Sequence, residues 1–296
     1  MAEPVDGWLE RNGVRLHYVE WRPAAATNQG PPPVLLLHGL SSNARFWDRV
    51  AGRLSDRRVI ALDQRGHGLT GRPPAAPDPT AGFAMDQLLE DVAFLIRELG
   101  LEQPVLAGHS WGATVALEFV GARPDLVSAL VFIDGPVQSA ANLFSWEDAQ
   151  AFMQPPLPRF RSLNDAEAES RNDFGSAWGA DLEAFVKARV MPDGDDLILT
   201  LTGPARLALL RGLYDSQPDV LWSRISVPTV VLLAREASAS VSGWKEQGAN
   251  LLAGLAPAVT IKWFDTGHDI PLYAPAEVAA EIVAISALAS SETPAG

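Results

Sequence analysis

The residues best suited to chemistry lie in the pentapeptide at 108–112, which has the pattern G-x-S-x-G. The apolar stretch 103–107 before it predicts a buried strand, and the run 113–120 after it predicts a helix. Glycine permits a sharp turn between such elements, which would present the Ser110 hydroxyl at a helix N-terminus. Free N–H groups and the helix dipole favour negative charge there. This context predicts that Ser110 is a nucleophile.

A serine hydroxyl needs a base within hydrogen-bond reach to act as a nucleophile. Of the five histidines, only His268 lies in a loop after the last predicted strand, in the chain order serine, acid, histidine. Catalytic groups of a parallel sheet gather at the carboxyl ends of its strands, which suits this position. The others lie in an early strand, in glycine-flanked loops or in the pentapeptide itself (His17, His38, His67 and His109). We therefore predict His268 as the base.

The elements that must position these residues alternate between strands and helices. Apolar runs predict strands at 34–37, 58–62, 126–133, 228–233 and 259–264. Helical spacing predicts helices at 43–54, 84–99, 242–255 and 275–288. Asn12-Gly13, between two β-rich runs, predicts a leading hairpin. The pattern predicts an α/β fold with a mostly parallel sheet, helices on both faces and an antiparallel edge.

Residues 137–222 interrupt this alternation. Helical segments are expected around 145–153, 165–189 and 204–214, and strand-like runs are absent. We predict a core domain of residues 1–136 and 223–296, and a helical cap inserted at 137–222. The cap is rich in aromatic and methionine residues, most of which would pack its own core. Those expected to line a substrate pocket are Trp146, Met153, Trp178, Tyr214 and Trp222.

Several motifs together resemble the α/β-hydrolase family over nearly the whole chain outside the insertion. They are His38-Gly39, the D-x-R-G-x-G loop at 63–68, the pentapeptide at 108–112, and Gly267-His268 followed by Pro271. The resemblance implies an α/β-hydrolase fold and an oxyanion hole built from two backbone N–H groups. It assigns them to Trp111, which follows the nucleophile, and to Leu40, which follows His-Gly.

The acid of the triad departs from the usual family pattern. Most members carry it on the loop after the strand at 229–233, but there Ala237 falls at the expected place. Some members, such as haloalkane dehalogenases and zearalenone-type lactonases, take it from the end of the strand that follows the serine turn. That resemblance favours Asp134, which ends the strand 126–133. Glu236, one residue from the usual place, stays open as the alternative.

The expected activity is cleavage of an ester or lactone of a bulky apolar or aromatic small molecule through an acyl-enzyme. Hydrolysis of amides or carbon–carbon bonds with the same triad is one alternative, and a ligand receptor with little turnover is another. A serine at 110 argues against a dehalogenase or an epoxide hydrolase, for which the resemblance would require aspartate there.

Composition limits the remaining function classes. The formal net charge of −13 at pH 7 disfavours binding to nucleic acid or to an anionic membrane, and the lack of cysteine excludes disulfides and thiol nucleophiles. No apolar leader or membrane-length apolar run is present, so we expect a cytoplasmic protein, either monomer or homodimer. Neither a P-loop, a G-x-G-x-x-G turn nor an H-E-x-x-H motif occurs. We expect no cofactor and no metal.

Overall fold

The computed structural model describes residues 3–23, 30–74, 77–78, 80–235 and 239–292. An eight-stranded sheet in the order β1-β2-β4-β3-β5-β6-β10-β11 forms the centre, and a second sheet has the order β7-β9-β8. The strands are β1 (Val5–Arg11), β2 (Val14–Trp21), β3 (Val34–Leu37), β4 (Val59–Leu62), β5 (Val105–His109), β6 (Ala129–Ile133), β7 (Arg159–Phe160), β8 (Val190–Asp193), β9 (Asp196–Leu199), β10 (Thr229–Ala234) and β11 (Thr260–Phe264).

The central sheet has the α/β-hydrolase architecture, and this prediction is confirmed. Strands β3 to β6 and β10 are buried at every position, as expected of parallel strands covered on both faces. The antiparallel edge is the hairpin β1–β2, whose turn residues Asn12 and Gly13 have φ of 50° and 75°. Two consecutive positive φ values match the tight hairpin turn that Asn-Gly favours.

The described residues form helices on both faces of the central sheet and further helices in the segment 137–222. They are α1 (Asp48–Ala51), α2 (Met85–Glu98), α3 (Trp111–Ala122), α4 (Trp146–Met153), α5 (Leu163–Phe174), α6 (Glu183–Arg189), α7 (Gly203–Asp215), α8 (Pro218–Leu221), α9 (Ala239–Leu255), α10 (Ile270–Tyr273) and α11 (Pro275–Glu292). Alternate residues of β3 point to opposite faces. Leu36 packs with α1 and α11, whereas Leu35 packs with α2 and α3. No helix in the described ranges is long and apolar enough to cross a membrane.

The segment 137–222 differs from the all-helical prediction. It contains the three strands β7, β8 and β9, which pair antiparallel. Gly194, with φ of 65°, supplies the turn between β8 and β9. The helix expected over 165–189 is also broken, because the chain takes φ of 49° at Gly175 and α6 begins only at Glu183. The division into core and cap domains stays a prediction.

The helix predicted over 43–54 is likewise shorter than expected. A 3-10 turn at Ala44–Trp47 comes first, with the side chain of Asn43 accepting from the Arg45 N–H, and α1 follows for one turn. Asn43 Nδ2 also donates to the Phe185 carbonyl oxygen at 2.9 Å. The turn after β3 is therefore attached directly to the segment 137–222.

Candidate active site

Ser110 occupies a strained turn between β5 and α3. Its φ of 53° and ψ of −120° are unfavourable for a residue with a side chain, and they place it as the N-cap of α3. The N–H of Ser110 donates to the Ile133 carbonyl oxygen at 2.8 Å, which fixes the turn against the end of β6. Asp134, the next residue along β6, also has a positive φ of 52°. Both strained residues lie at the carboxyl edge of the sheet.

Close packing explains the glycines on either side of Ser110. A Cβ on Gly112 would lie 2.4 Å from the carbonyl oxygens of Leu37 and His38, and one on Gly108 would lie 2.5 Å from the Gly112 oxygen. These contacts are with backbone atoms, which cannot move aside as a side chain can. The G-x-S-x-G pattern is therefore required by the approach of α3 to β3 and β5.

Asp134 and His268 form a hydrogen-bonded pair. Nδ1 of His268 lies 2.5 Å from Oδ2 of Asp134, and the other carboxylate oxygen accepts the Ala234 N–H at 2.9 Å. The Asp134 side chain is fully buried, whereas 46% of the His268 side chain is exposed. Lys245 of α9 also donates to Oδ2 of Asp134, at 2.5 Å. One carboxylate oxygen thus receives both the imidazole and an ammonium group.

The pair has the charge distribution that a catalytic base and its acid partner need. Burial alone would raise the pKa of Asp134, but hydrogen bonds and charges from His268 and Lys245 outweigh it and lower that pKa. Desolvation alone would lower the pKa of His268, but the hydrogen bond and charge of Asp134 outweigh it and raise that pKa. Asp134 is therefore ionised at neutral pH and favours the imidazolium that forms when His268 takes a proton.

His109 connects the serine turn to the histidine loop. Its Nε2 donates to the carbonyl oxygen of His268 at 3.0 Å, and the two rings lie 4.8 Å apart. Burial first, and the proximity of His268 second, lower the pKa of His109 to about 3, so its ring is neutral. Nδ1 of His268 is taken by Asp134, which leaves Nε2 for Ser110. No hydrogen bond joins Nε2 to the Ser110 hydroxyl in the described part of the chain, and such contacts often tighten only when substrate binds.

The two amides predicted for the oxyanion hole come from two different elements beside Ser110. Trp111 begins α3, and Leu40 lies in the turn closed by the Ser42 N–H on the Gly39 oxygen at 3.2 Å. A Cβ on Gly39 would lie 3.3 Å from the Ser110 Cβ, so this turn touches the serine. Within the described residues neither the Leu40 nor the Trp111 N–H donates to another group. Both amides are thus available to a substrate oxygen.

Two buried histidines hold the turn that carries the Leu40 amide and the loop that follows β4. His67 Nε2 accepts the Ser41 N–H at 3.1 Å, and His38 Nε2 accepts the Gln64 N–H at 3.1 Å. The two rings lie edge to face, 4.8 Å apart. Burial lowers the pKa of both rings, so they stay neutral and each can accept a hydrogen bond. The His-Gly and D-x-R-G-x-G motifs thus fix the turn that contains Leu40.

The residues predicted to line a substrate pocket are dispersed. Trp146 packs against Tyr214, with rings 5.2 Å apart, and lines a cavity of about 530 Å³ between α7 and the core helices α2 and α3. The carbonyl oxygen of Met153 accepts from Arg206 at 2.6 Å. Trp178 is partly buried beneath the guanidinium of Arg171.

The prediction that Trp222 lines a substrate pocket is wrong. It is fully buried, its ring packs 5.0 Å from that of Phe132, and its Nε1 donates to the Pro136 carbonyl oxygen at 2.9 Å. Because both its ring and its polar atom are used inside the core, Trp222 is a packing residue.

Two cations near the site, Lys245 and Arg206, were not predicted from the sequence. Lys245 lies on a helix with no motif, and no sequence signal marks it. Arg206 of α7 donates to the Ser41 hydroxyl and to the Met153 oxygen, and has no acidic partner among the described residues. Glu236, the alternative acid, lies outside the described residues. Within those residues no group of three or more histidine or acidic side chains could hold a metal ion.

The fold and these motifs define a family. The sequence model described as "Alpha/beta hydrolase family" matches residues 34–281, and the chain belongs to this family. It is 31% identical to the lipase LipV of Mycobacterium tuberculosis, over 91% of this chain and 97% of that protein. It is 28% identical to epoxide hydrolase 3 of the mouse, over 91% of this chain and 73% of that protein. In structure it is similar to the thioesterase domain of the curacin biosynthetic pathway, with a TM-score of 0.77 and 20% identity over 95% and 99% of the two chains.

Proposed function

We propose that this hydrolase cleaves the carboxylic ester or lactone of a bulky apolar or aromatic small molecule, using Ser110, His268 and Asp134. The observation that carries the proposal is the hydrogen bond of 2.5 Å between the buried Asp134 and His268. His109 joins the loop of His268 to the turn that contains Ser110. Similarity to a lipase over almost its full length supports an ester substrate.

In the proposed mechanism, Oγ of Ser110 attacks the carbonyl carbon while Nε2 of His268 takes the hydroxyl proton. The N–H groups of Leu40 and Trp111 donate to the oxyanion that forms. The tetrahedral intermediate then breaks the ester bond, and the imidazolium gives its proton to the departing alcohol. Water next attacks the acyl-enzyme with His268 again as base, releasing the acid and free Ser110. Asp134 orients the ring and stabilises its charged form throughout.

The identity of residue 110 separates this proposal from the activity of one relative. Epoxide hydrolases of this family would be expected to carry aspartate at the nucleophile position, and this chain carries serine. A serine hydroxyl can form an acyl-enzyme with an ester when an imidazole accepts its proton, as the proposal requires.

A panel of p-nitrophenyl esters and aromatic lactones tests the proposal, with Ser110→Ala as the control. We expect turnover in the native chain and a loss of at least about a thousandfold in the variant. Labelling with a fluorophosphonate, followed by peptide mass analysis, should place the adduct on Ser110. Cleavage of amides or carbon–carbon bonds but not esters would move the assignment to that activity. Tight binding of the same compounds without turnover would identify a receptor.

A further inference from the structure

Helix α9 contributes a cation to the Asp134–His268 pair. Nζ of Lys245 lies 2.5 Å from Oδ2 of Asp134 and 3.3 Å from the Ala234 carbonyl oxygen. The Lys245 side chain is only 14% exposed and that of Asp134 is fully buried. A catalytic carboxylate needs only the imidazole and orienting amides as partners. The buried ammonium is therefore additional to the triad.

We propose that Lys245 is a positioning residue of this site. Its ammonium shares one oxygen of Asp134 with His268 and holds that carboxylate in place. The same positive charge opposes protonation of the His268 imidazole. The inference rests on the proposed triad. It goes beyond it by assigning a role to a helix that carries no catalytic motif.

Asp134 follows β6 with a strained backbone φ of 52°, and hydrogen-bond donors hold its carboxylate. Three donors surround the carboxylate: the Ala234 N–H on Oδ1, and Lys245 and His268 on Oδ2. A fully buried carboxylate without enough donors would take up a proton. Lys245 thus helps to keep Asp134 ionised.

Lys245 and His268 compete for Oδ2 of Asp134. When His268 is protonated, two cations share one oxygen, and their mutual repulsion opposes protonation. Around His268, the charged and titratable groups of the described residues are Asp134 from β6, Lys245 from α9, His109 from β5 and the adjacent Asp269. Asp134 and Asp269 raise the pKa of His268, and Lys245 lowers it. Since His109 is neutral, Lys245 is the cation among these groups that opposes the two carboxylates.

The test is an NMR titration of the His268 ring, assigned by comparison with His268→Gln, in the native chain, in Lys245→Met and in Lys245→Gln. Both substitutions remove the charge, and glutamine retains a hydrogen-bond donor. We expect the apparent pKa of the Asp–His pair to rise by about one unit in both variants. The acid limb of kcat/KM for a p-nitrophenyl ester should move upward by the same amount. Lys245→Arg, which keeps the charge, should restore the native titration.

The matched control is Lys262→Met, which removes the same charge from an exposed lysine of β11 that pairs with Glu281 of α11. It should leave the His268 titration unchanged. An unchanged or lower pKa in both Lys245→Met and Lys245→Gln would overturn the proposal. The ring titration needs no substrate, so it separates the two hypotheses. If the pKa of His268 rises in the Lys245 variants but the native chain cleaves no ester, the role of Lys245 is kept and the proposed substrate is rejected. If the native chain cleaves esters but the pKa of His268 does not change in the variants, the substrate is kept and the role of Lys245 is rejected.

Discussion

In the loops after β3 and β4, buried polar side chains hold backbone groups, whereas the segment 137–222 adds several contacts of one aromatic ring on another. His67 and His38 each accept a loop N–H, and Asp63 accepts the N–H groups of Ala44 and Leu69. In the segment 137–222 apolar ring contacts are prominent as well, such as Trp146 on Tyr214 and Phe174 on Phe185. A polar contact to a backbone group permits few residue types, while an apolar contact permits many. The loops are therefore tightly specified in sequence, and the inserted segment is not.

The largest effect on activity should follow from breaking the contact between Asp134 and His268. Asp134→Asn keeps the shape of the side chain but removes the charge that stabilises the imidazolium, so kcat should fall by about 10⁴-fold. Glu236→Gln is the matched change at the alternative position, and it should leave kcat within a fewfold of the native value. Steady-state kinetics on one ester decide between them. A large loss in the second variant alone would reassign the acid.

The difference between the loops around Ser110 and the segment 137–222 explains which parts of the molecule could be predicted from the sequence. Ser110 and Trp111 lie in a motif whose Gly108 and Gly112 are required by backbone contacts below 3 Å, so this pattern is readable without coordinates. His268 could be predicted from its place in the chain order, after the last strand. Asp134 could be favoured only by resemblance, because an acid at a strand end has no distinctive spacing. Its partners Lys245 and Ala234 come from α9 and β10, about 100 residues further along the chain, and only the folded chain brings them together.

The inserted segment was predicted less well for a physical reason. Its strands β8 and β9 have four residues each, and their half-buried positions give only a weak alternation. Short apolar runs of this kind fit a helix or a strand equally. Trp222 was misplaced because an aromatic residue gives no sequence sign of whether it faces a pocket or the core.

A second prediction compares a glycine from each region. Gly112→Ala should lower the free energy of unfolding by about 3 kcal/mol, because the new methyl group meets backbone oxygens at 2.4 Å. Gly203→Ala at the start of α7 meets no atom within 4 Å, and it should be neutral or slightly stabilising. Urea unfolding of the two variants measures the difference. Equal effects would contradict the idea that the serine turn is the more tightly specified region.

A third prediction concerns the contact between the two regions at the oxyanion turn. Arg206→Met removes the hydrogen bonds that join α7 and Met153 to Ser41, so the Leu40 amide should be held less firmly. We expect kcat to fall by about tenfold with a smaller change in KM, because amide placement matters most in the transition state. Arg211→Met is the control: Arg211 lies on the same helix but pairs with Asp215 on the surface. If both variants lose activity equally, α7 acts through its general packing.

The smallest effect is expected at Asp48 of α1, which lies near Asp181 of the segment 137–222. Burial raises the pKa of this carboxyl to about 7, with Arg45 opposing the shift and Asp181 and Asp6 adding to it. The folded chain therefore keeps a proton that the unfolded chain has lost between about pH 4 and pH 7, so this group makes stability fall as pH rises through that window. Asp48→Asn removes this titrating group. At pH 8 the variant should therefore have a free energy of unfolding higher than that of the native chain, by an amount on the order of 1 kcal/mol. Urea unfolding at pH 5 and pH 8 measures this. If the variant and the native chain lose equal stability between pH 5 and pH 8, Asp48 is ionised in the folded chain over that whole range.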